Sequence, residues 1–252
     1  MMDFIHYWNN GLLDFLQNGN TSILYTYLCL LSFAIAVLSY LLGSINPAII
    51  ISKKFYGDDI RTHGSGNAGM TNVMRTYGKK MAVITFLGDF LKAVVASLLG
   101  RALLGLVGAY IAGFFCFLGH LYPCFYNFKG GKGVVTTAAM IVMTDWRVFL
   151  ILLAIFVIVV AATKYISLGS VIGVMFYPIV LDRIWSLFGI DNRLRIVIIF
   201  VLGIMLLTLW KHRENLKRIT KGQENKFTFK VKDKKTVSEE KSDTDNTSEE
   251  GK

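Results

Sequence analysis

The chain has 252 residues, of which 54% are hydrophobic and 17% are charged, and its formal net charge is +10. Long stretches in the middle of the chain carry almost no charge, which excludes an ordinary water-soluble domain of this size. The three cysteines are odd in number and widely spaced, which argues against a disulfide framework or a metal site. The composition therefore predicts a multispanning membrane protein.

The chain opens with residues 1–22, in which Tyr7 and Trp8 favour an interfacial position at headgroup level. Six mostly apolar segments follow, each at or near the length needed to cross the hydrocarbon core of a bilayer. They comprise residues 25–42, 81–99, 102–118, 148–162, 168–181 and 196–210, and residues 134–143 form a seventh, shorter candidate. Each is apolar around most of its circumference, which is typical of helices surrounded by lipid and by other helices.

The distribution of basic residues predicts the orientation of these spans. With seven spans and an extracytoplasmic N-terminus, the segments on one face hold 19 Lys or Arg residues, against five on the other face. Basic residues in short loops stay in the cytoplasm. We therefore predict an all-α integral membrane protein with seven transmembrane helices, some of them short, and with cytoplasmic active-site loops. Attraction to anionic lipid explains the net charge without nucleic acid.

Three regions are expected along the chain. Residues 1–22 form an extracytoplasmic or interfacial extension, and residues 23–226 form the membrane domain. Residues 227–252 form a charged cytoplasmic tail, which is rich in acidic and polar residues toward its end and is predicted to be largely disordered because it cannot bury enough apolar area.

The stretch "GSGNAGMTNVMR", residues 64–75, has the glycine spacing of a dinucleotide-binding fingerprint. That motif requires a strand, a turn and a helix within a βαβ unit, which a chain of membrane helices does not provide. A forked guanidinium beside Ser and Asn side chains instead suits a phosphate or a phosphate ester. The alternative is a polar loop whose side chains only cap a helix. The candidate residues are Ser65, Asn67, Thr71, Asn72 and Arg75.

The stretch "FKGGKGVVTT" places Gly130, Gly131 and Gly133 around Lys132, directly before an apolar run. Glycine allows close approach of backbone N–H groups to an anion, a helix start supplies unpaired donors, and lysine adds a charge. The residues that a Walker loop requires around the Gly–Lys pair are missing. A glycine turn with an interfacial lysine is the alternative interpretation.

The third polar stretch, "KHRENLKRITKGQENK", follows the last span and places His212, Asn215 and Arg218 at helical spacing. A basic helix end that snorkels to the headgroups is the alternative. Within the spans, Asp89 and Lys92 are expected to form a structural pair on one helix face rather than a catalytic one. His120 either lines the site or is a hydrogen-bonded structural histidine.

These segments carry a family resemblance. "GSGNAGMTNVMRTYGKK", "GHLYPCFYNFKGGKG" and "HRENLKRITKGQE", together with "LLGSINPA", resemble the acyl-phosphate-dependent glycerol-3-phosphate acyltransferase family of bacteria, the PlsY family. The match runs in order from about residue 39 to residue 226. One departure is "GSINPA", where the family reads Gly-Ser-Ile-Pro and where Asn46 shifts the proline.

The resemblance implies a multi-pass enzyme of the bacterial plasma membrane, with its N-terminus outside and its C-terminus in the cytoplasm. It would transfer a fatty acyl group from acyl phosphate to the sn-1 hydroxyl of glycerol 3-phosphate and release lysophosphatidic acid and phosphate. This is the first step of phospholipid biosynthesis. Membrane lipid is an expected partner, coupling to an acyl-phosphate-forming enzyme is possible, and no cofactor, metal or nucleic acid is expected.

Carried over position by position, the resemblance assigns roles to the candidate residues. Ser65, Asn67, Asn72 and Arg75 would bind substrate phosphate, Gly130, Gly131, Lys132 and Gly133 would bind acyl phosphate, and His212 and Asn215 would complete the glycerol phosphate pocket. Ser65, Arg75, Lys132 and His212 are the expected catalytic residues, and Gly66 and Glu224 are added as substrate-binding residues.

The expected mechanism is direct attack on the acyl phosphate. None of the four histidines is followed five positions later by an aspartate, so the His–Asp dyad of the other class of glycerophosphate acyltransferases is missing. The hydroxyl proton would pass to an oxygen of the acyl phosphate or to His212. Two other functions stay open from the residues alone: a transporter of a phosphorylated metabolite and a non-catalytic scaffold that binds anionic lipid.

Overall fold

The computed structural model describes residues 21–190 and 196–227, with side chains described from residue 25. All regular structure in these ranges is helical. The α-helices are α1 (Thr21–Ser44), α2 (Pro47–Tyr56), α3 (Met70–Tyr77), α4 (Lys79–Leu121), α5 (Val134–Thr144), α6 (Trp146–Thr163), α7 (Ile166–Leu187) and α8 (Ile198–Thr220). The predicted all-α membrane fold is therefore confirmed for the described part of the chain.

Each of the seven predicted apolar segments lies in, or largely in, one of these helices. In the described part of the chain, four helical stretches are long and apolar enough to cross a membrane, and they lie within residues 25–56, 79–126, 146–163 and 166–187. The second stretch contains two predicted spans, because the backbone of α4 leaves helical geometry at Leu104 and Gly105. Helix α5 has 11 residues and therefore rises about 16 Å, which is roughly half the thickness of the hydrocarbon core.

Small residues allow the first helices to pack closely. The two arms of α4 fold back on each other, since a Cβ atom at Gly100 would collide with the carbonyl group of Gly108, and one at Gly108 would collide with that of Gly100. Helix α1 packs equally closely against the second arm of α4, which follows Gly105. A Cβ atom at Gly43 would collide with the carbonyl group of Cys116. The arms of α4 therefore form a tight helical hairpin with α1 beside it.

The unusual "GSINPA" stretch forms the junction between α1 and α2. Helix α1 ends at Ser44, and Asn46 is the N-cap of α2, where its side chain accepts a hydrogen bond from the backbone N–H of Ile49 at 3.2 Å. Pro47 occupies the first turn of α2, where its missing N–H costs nothing. The additional Asn thus begins a new helix.

Two sequence predictions concern residues that the structure describes only at their edges. Of the N-terminal extension, residues 21 and 22 belong to α1, and residues 1–20 lie outside the described ranges. Of the tail, only Phe227 is described, and its backbone N–H donates to the carbonyl group of Lys164 at 2.7 Å. The chain after α8 therefore returns to the turn between α6 and α7.

Candidate active site

A cavity of about 520 Å³ lies where the three polar segments of the sequence meet. Helices α3, α5 and α8 and the loops beside them supply its polar end. The residues at this end are Ser65, Asn67, Asn72, Arg75, Lys132, Gly133, His212, Asn215, Arg218 and Glu224. Gly66, Gly130 and Gly131 do not line it. The structure therefore brings together most of the sequence-predicted site residues from three distant parts of the chain.

In the first segment, Asn72 organises the loop that carries Ser65. Its side-chain carbonyl accepts from the backbone N–H of Ser65 at 3.0 Å, and its amide donates to the carbonyl groups of Ile60 and His63 at 3.1 and 2.9 Å. These bonds use both amide hydrogens of a side chain that is almost fully buried. Its direct binding of substrate phosphate stays a prediction, and the geometry shows a role in positioning the loop.

Ser65 and Arg75 face the cavity without competing partners. Neither side chain forms a hydrogen bond or an ion pair with another residue in the described ranges, and both are solvent-exposed. Arg75 lies close enough to Glu224 and Arg218 to interact with both electrostatically. A guanidinium in this state is available for a phosphate group.

Arg61, which the sequence reasoning missed, connects the first segment to the second. Its guanidinium donates to the carbonyl groups of Tyr126 and Lys129 at 2.8 and 3.0 Å, and Asp59 holds it from the other side at 2.7 Å. Sequence spacing carries no sign of these bonds, because an arginine in a basic loop is common. Its effect is to hold the two phosphate-suited loops in register.

In the second segment, the paired glycines pack the loop against the end of α4. The N–H of Gly131 donates to the carbonyl group of His120 at 3.0 Å, and that of Gly130 donates to Leu121 at 3.3 Å. A Cβ atom at Gly130 would collide with the His120 carbonyl, and one at Gly131 would collide with its ring. The binding of acyl phosphate by these two glycines therefore stays a prediction, and their visible role is close packing.

Gly133 and Lys132 are placed where the sequence predicts them, at the start of a helix. Gly133 is the N-cap of α5 and has a φ of 78°, a left-handed conformation that favours glycine. The first N–H groups of α5 have no partner within the helix, and Val134 and Val135 line the cavity. Helix-start donors thus lie beside the Lys132 ammonium, an arrangement suited to an anion.

A hydrogen-bonded chain joins the second segment to the third. The Lys132 ammonium donates to the Asn215 side-chain carbonyl, and the Asn215 amide donates to Glu224 at 2.6 Å. Glu224 also accepts from Ser167 at 2.9 Å and from Arg218 at 2.8 Å. Ser167, on α7, was missed because nothing in its sequence neighbourhood distinguishes it from other small helix residues. Glu224 therefore connects α7, α8 and the Lys132 loop.

The electrostatics of this chain favour anion binding. Burial alone would raise the pKa of Glu224, but the hydrogen bonds from Asn215, Arg218 and Ser167 outweigh burial and lower it, so the carboxylate stays charged. Burial lowers the pKa of Lys132 to about 8, with Glu224 opposing this shift and two arginines adding to it. Three cationic side chains thus face one carboxylate at the polar end.

His212 lies within α8, two residues beyond the predicted span of residues 196–210. Its Nδ1–H donates to the carbonyl group of Thr208 at 2.8 Å, since a carbonyl oxygen can only accept. Burial, and then the charge of Lys132, lower the pKa of His212 to about 4. The ring is therefore neutral at pH 7, and Nε2 is its unprotonated nitrogen.

Behind the glycine loop, a buried ionic cluster ties α1 to both arms of α4. The expected pair of Asp89 and Lys92 is confirmed, with the ammonium 2.8 Å from the carboxylate, and His120 lies 3.0 Å from the same oxygen. The ammonium also donates to the carbonyl groups of Gly43 and Ile45 at 3.0 and 2.8 Å. Since Lys92 is used at the end of α1, the geometry favours the structural interpretation of the pair.

The rest of the cavity is mostly apolar and runs down between α4, α5, α6 and α7, and Asp89 and His120 of the ionic cluster also line it. Its walls consist largely of aliphatic and aromatic side chains. They include Phe86, Phe90, Val135, Ala138, Ile141, Phe149, Leu152, Leu153, Phe156, Val160, Ile166 and Val174. The cavity therefore offers a cationic end at the loops and an apolar end within the helices, which suits an amphipathic molecule.

Comparison with known proteins agrees with this geometry. Residues 33–222 match the model of a family described as glycerol-3-phosphate acyltransferase. The protein of that name from Finegoldia magna is 41% identical over 203 residues, which cover 81% of this chain and 98% of the relative. The protein from Clostridioides difficile is 42% identical over 199 residues, 77% of this chain and 94% of the relative.

Solved structures match as well. The crystal structure of PlsY (YgiH), an integral membrane glycerol 3-phosphate acyltransferase, in its glycerol 3-phosphate form has a TM-score of 0.70 and 32% identity. The match covers 78% of this chain and 96% of that one. The lysophosphatidic acid form has a TM-score of 0.68 and 30% identity. On sequence, fold and cavity together, this chain belongs to the glycerol-3-phosphate acyltransferase family of integral membrane enzymes.

Proposed function

We propose that this acyltransferase uses acyl phosphate as its donor and acylates the sn-1 hydroxyl of glycerol 3-phosphate, so that lysophosphatidic acid and phosphate are released. The observation that carries the proposal is the cavity itself, in which a cluster of cations continues directly into an apolar channel. Two phosphate-bearing substrates need the cations, and the acyl chain needs the channel. The related structures in glycerol 3-phosphate and lysophosphatidic acid forms support the same pairing of ligands.

The site residues divide into two groups in this proposal. Ser65, Arg75, Lys132 and His212 act on the reacting groups, because each lines the cavity and Ser65 and Arg75 have no competing partner in the described ranges. Asn67 and Asn215 bind the substrate phosphates, whereas Asn72 holds the Ser65 loop and Glu224 holds Asn215 and Arg218 in place. Gly66, Gly130, Gly131 and Gly133 shape the loops against which the phosphates lie. The catalytic unit spans residues 23–226.

Transfer is direct in this proposal. The sn-1 hydroxyl oxygen attacks the acyl carbonyl carbon, the bond from that carbon to the phosphate oxygen breaks, and inorganic phosphate leaves. The hydroxyl proton passes to a phosphate oxygen or to Nε2 of His212. Acyl phosphate is an activated mixed anhydride, so holding both substrates in near-attack geometry and stabilising the departing phosphate lower the barrier sufficiently.

Ser65→Ala tests whether an acyl-enzyme forms. Since the hydroxyl contacts the reacting phosphate in this mechanism but is not itself acylated, the variant should retain some turnover and show a higher KM. Wild-type protein incubated with labelled acyl phosphate alone should carry no label after denaturation. A labelled ester on Ser65 would overturn direct transfer, and Thr62→Ala, an exposed hydroxyl in the same loop, is the matched control.

One assay separates the enzyme from the two other candidate functions. The full-length protein is reconstituted in vesicles and supplied with palmitoyl phosphate and glycerol 3-phosphate. Lysophosphatidic acid and inorganic phosphate should form in equal amounts. Uptake of glycerol 3-phosphate without product would indicate a transporter, and vesicle binding without product or uptake would indicate a scaffold.

The pKa of Lys132 predicts the alkaline limb of the pH profile. The ammonium is charged below pH 8 and loses its proton as the pH rises through its pKa of about 8, so anion binding weakens in that direction. We expect kcat/KM for glycerol 3-phosphate to fall above pH 8, at most about tenfold per pH unit. Lys132→Arg should move this limb upward, because guanidinium stays protonated. An unchanged limb would show that another group controls it.

The proposed orientation places the polar end of the cavity in the cytoplasm of a bacterial cell and the N-terminus outside. The support is the excess of Lys and Arg in the loops at that end. A single cysteine introduced at exposed Lys221, in a background with Cys29, Cys116 and Cys124 removed, should resist a membrane-impermeant label in intact cells. Labelling there from outside would reverse the orientation.

A further inference from the structure

Helix α7 presents two glycines, Gly169 and Gly173, one turn apart toward the cavity. They differ in what surrounds them. A Cβ atom at Gly169 would lie 2.6 Å from Val160 and 3.0 Å from Phe156, so this glycine lets α6 and α7 pack closely. A Cβ atom at Gly173 would meet only the carbonyl oxygen of Leu152, at 3.8 Å.

The space beside Gly173 belongs to the cavity. Gly173 is buried, so the missing side chain does not open onto the surface of the protein. It also lines the apolar channel. A residue that is buried and yet has almost no neighbour at its Cβ position borders an internal void. A side chain at this position would therefore project into the channel.

Gly173 lies deep in the channel. Ser167, which donates to Glu224 at the polar end, is six residues earlier on the same helix, a distance of about 9 Å along the axis. On the opposite wall, Ile141 is seven residues beyond Val134, about 10 Å deep by the same rise. Both positions therefore lie well below the polar end, at a depth that an acyl chain reaches only beyond its first several carbons.

We propose that Gly173 determines the length of the acyl chain that the enzyme accepts, because its missing side chain leaves open the part of the channel beside Leu152, through which the distal carbons pass. The proposal rests on the proposed function, since it concerns the acyl donor of that reaction. Larger residues at position 173 close the channel at this depth and leave the polar end unchanged.

The test measures kcat/KM for octanoyl, decanoyl, myristoyl, palmitoyl and stearoyl phosphate with the full-length protein. Gly173→Phe should lower the value for palmitoyl phosphate by about tenfold or more, since a single misplaced methylene costs about tenfold, and should leave octanoyl phosphate within about twofold. Gly173→Ala should shift the preference in the same direction by a smaller amount. Alanine favours a helix more than glycine does, so this variant keeps the fold.

Two further variants make the result specific. Met175→Phe adds the same ring to the exposed face of α7, where Met175 is 49% exposed, and should leave the chain-length profile unchanged. Leu152→Ala enlarges the channel opposite Gly173 and should raise the relative kcat/KM for stearoyl over palmitoyl phosphate.

The outcomes separate this inference from the proposed function. A loss of equal size at every chain length in the Gly173 variants, or an unchanged profile in Gly173→Phe, would overturn the role of Gly173 while wild-type transfer stands. Wild-type protein that transfers no acyl chain of any length would instead overturn the proposed function. A preference that shortens with the size of residue 173 supports both.

Discussion

Lys132→Ala should lower kcat/KM for glycerol 3-phosphate and acyl phosphate by about 30- to 1,000-fold, equivalent to about 2–4 kcal/mol of transition-state stabilisation. The ammonium lies at the start of α5 inside the cavity, where its bond to Asn215 leaves it two hydrogens for a phosphate. In the proposed transfer, negative charge concentrates on the departing phosphate in the transition state, and a desolvated cation there acts more strongly than in water.

Lys129→Ala is the matched control for this prediction. Lys129 lies in the same loop but is exposed, and its side chain has no partner in the described ranges. Its loss should change kcat/KM by less than about twofold, as expected for a solvated surface charge. Steady-state kinetics with each substrate varied in turn measure both effects. If the two variants have similar activities, Lys132 is not a catalytic residue.

Gly130→Ala should lower kcat/KM by about a hundredfold or more while the protein stays folded. The added methyl group would collide with the carbonyl oxygen of His120 and would lie 2.6 Å from Pro123. The same carbonyl accepts the N–H of Gly131, so the loop can relieve the collision only by moving away from α4. A displacement of about 1 Å carried to Lys132 is enough for such a loss.

Gly189→Ala is the control that distinguishes the effect of backbone strain from the effect of the steric collision at Gly130. Gly189 also introduces strain when replaced, because its φ is 64°, but no atom lies within 4 Å of an added Cβ. It follows α7 at the end of the helices away from the polar loops. This control should lower thermal stability slightly and keep kcat/KM near the wild-type value. Equal losses in both glycine variants would mean that general destabilisation explains the effect at Gly130.

Much of the fold was accessible from the sequence because lipid demands long apolar segments. The positions of the spans and the convergence of three polar segments follow from hydropathy and from the parity of the spans. The reversal of α4 at Leu104 and Gly105 was located to within a few residues in the same way, since Arg101 interrupts the apolar run. The start of α2 at Asn46 was not predicted, because capping depends on local dihedral angles.

The site was predicted by residue type more successfully than by role. Asn72, Gly130 and Gly131 were assigned to substrate phosphate, yet the bonds that the structure describes for them are to the protein's own backbone. Arg61 and Ser167 were missed, although each joins two segments of the site. The sequence pattern indicates which side chains are suited to bind an anion. Long-range hydrogen bonds in the fold determine which of these side chains are still available to bind it.

The channel also explains how one protein can serve two very different substrates. Glycerol 3-phosphate is small and charged, whereas the proposed donor carries a long apolar chain, and the cavity offers both a cationic end and an apolar wall. The connection of Glu224 to Ser167 and of Phe227 to Lys164 holds the polar end against the top of α7. We therefore expect the phosphate of every substrate to bind at the same place, whereas the depth that the acyl chain reaches will differ from one donor to another.

The helical hairpin of α4 has a consequence for how the chain is inserted into the membrane during synthesis. Asp89 and Lys92 are three residues apart on the first arm, so a nascent chain can neutralise this charge within one helical turn, before any later segment has been synthesised. The second arm, held to the first at Gly100 and Gly108, then delivers His120 to the same carboxylate. The first arm can therefore enter the bilayer with its two charges already paired, and the second arm adds a further partner.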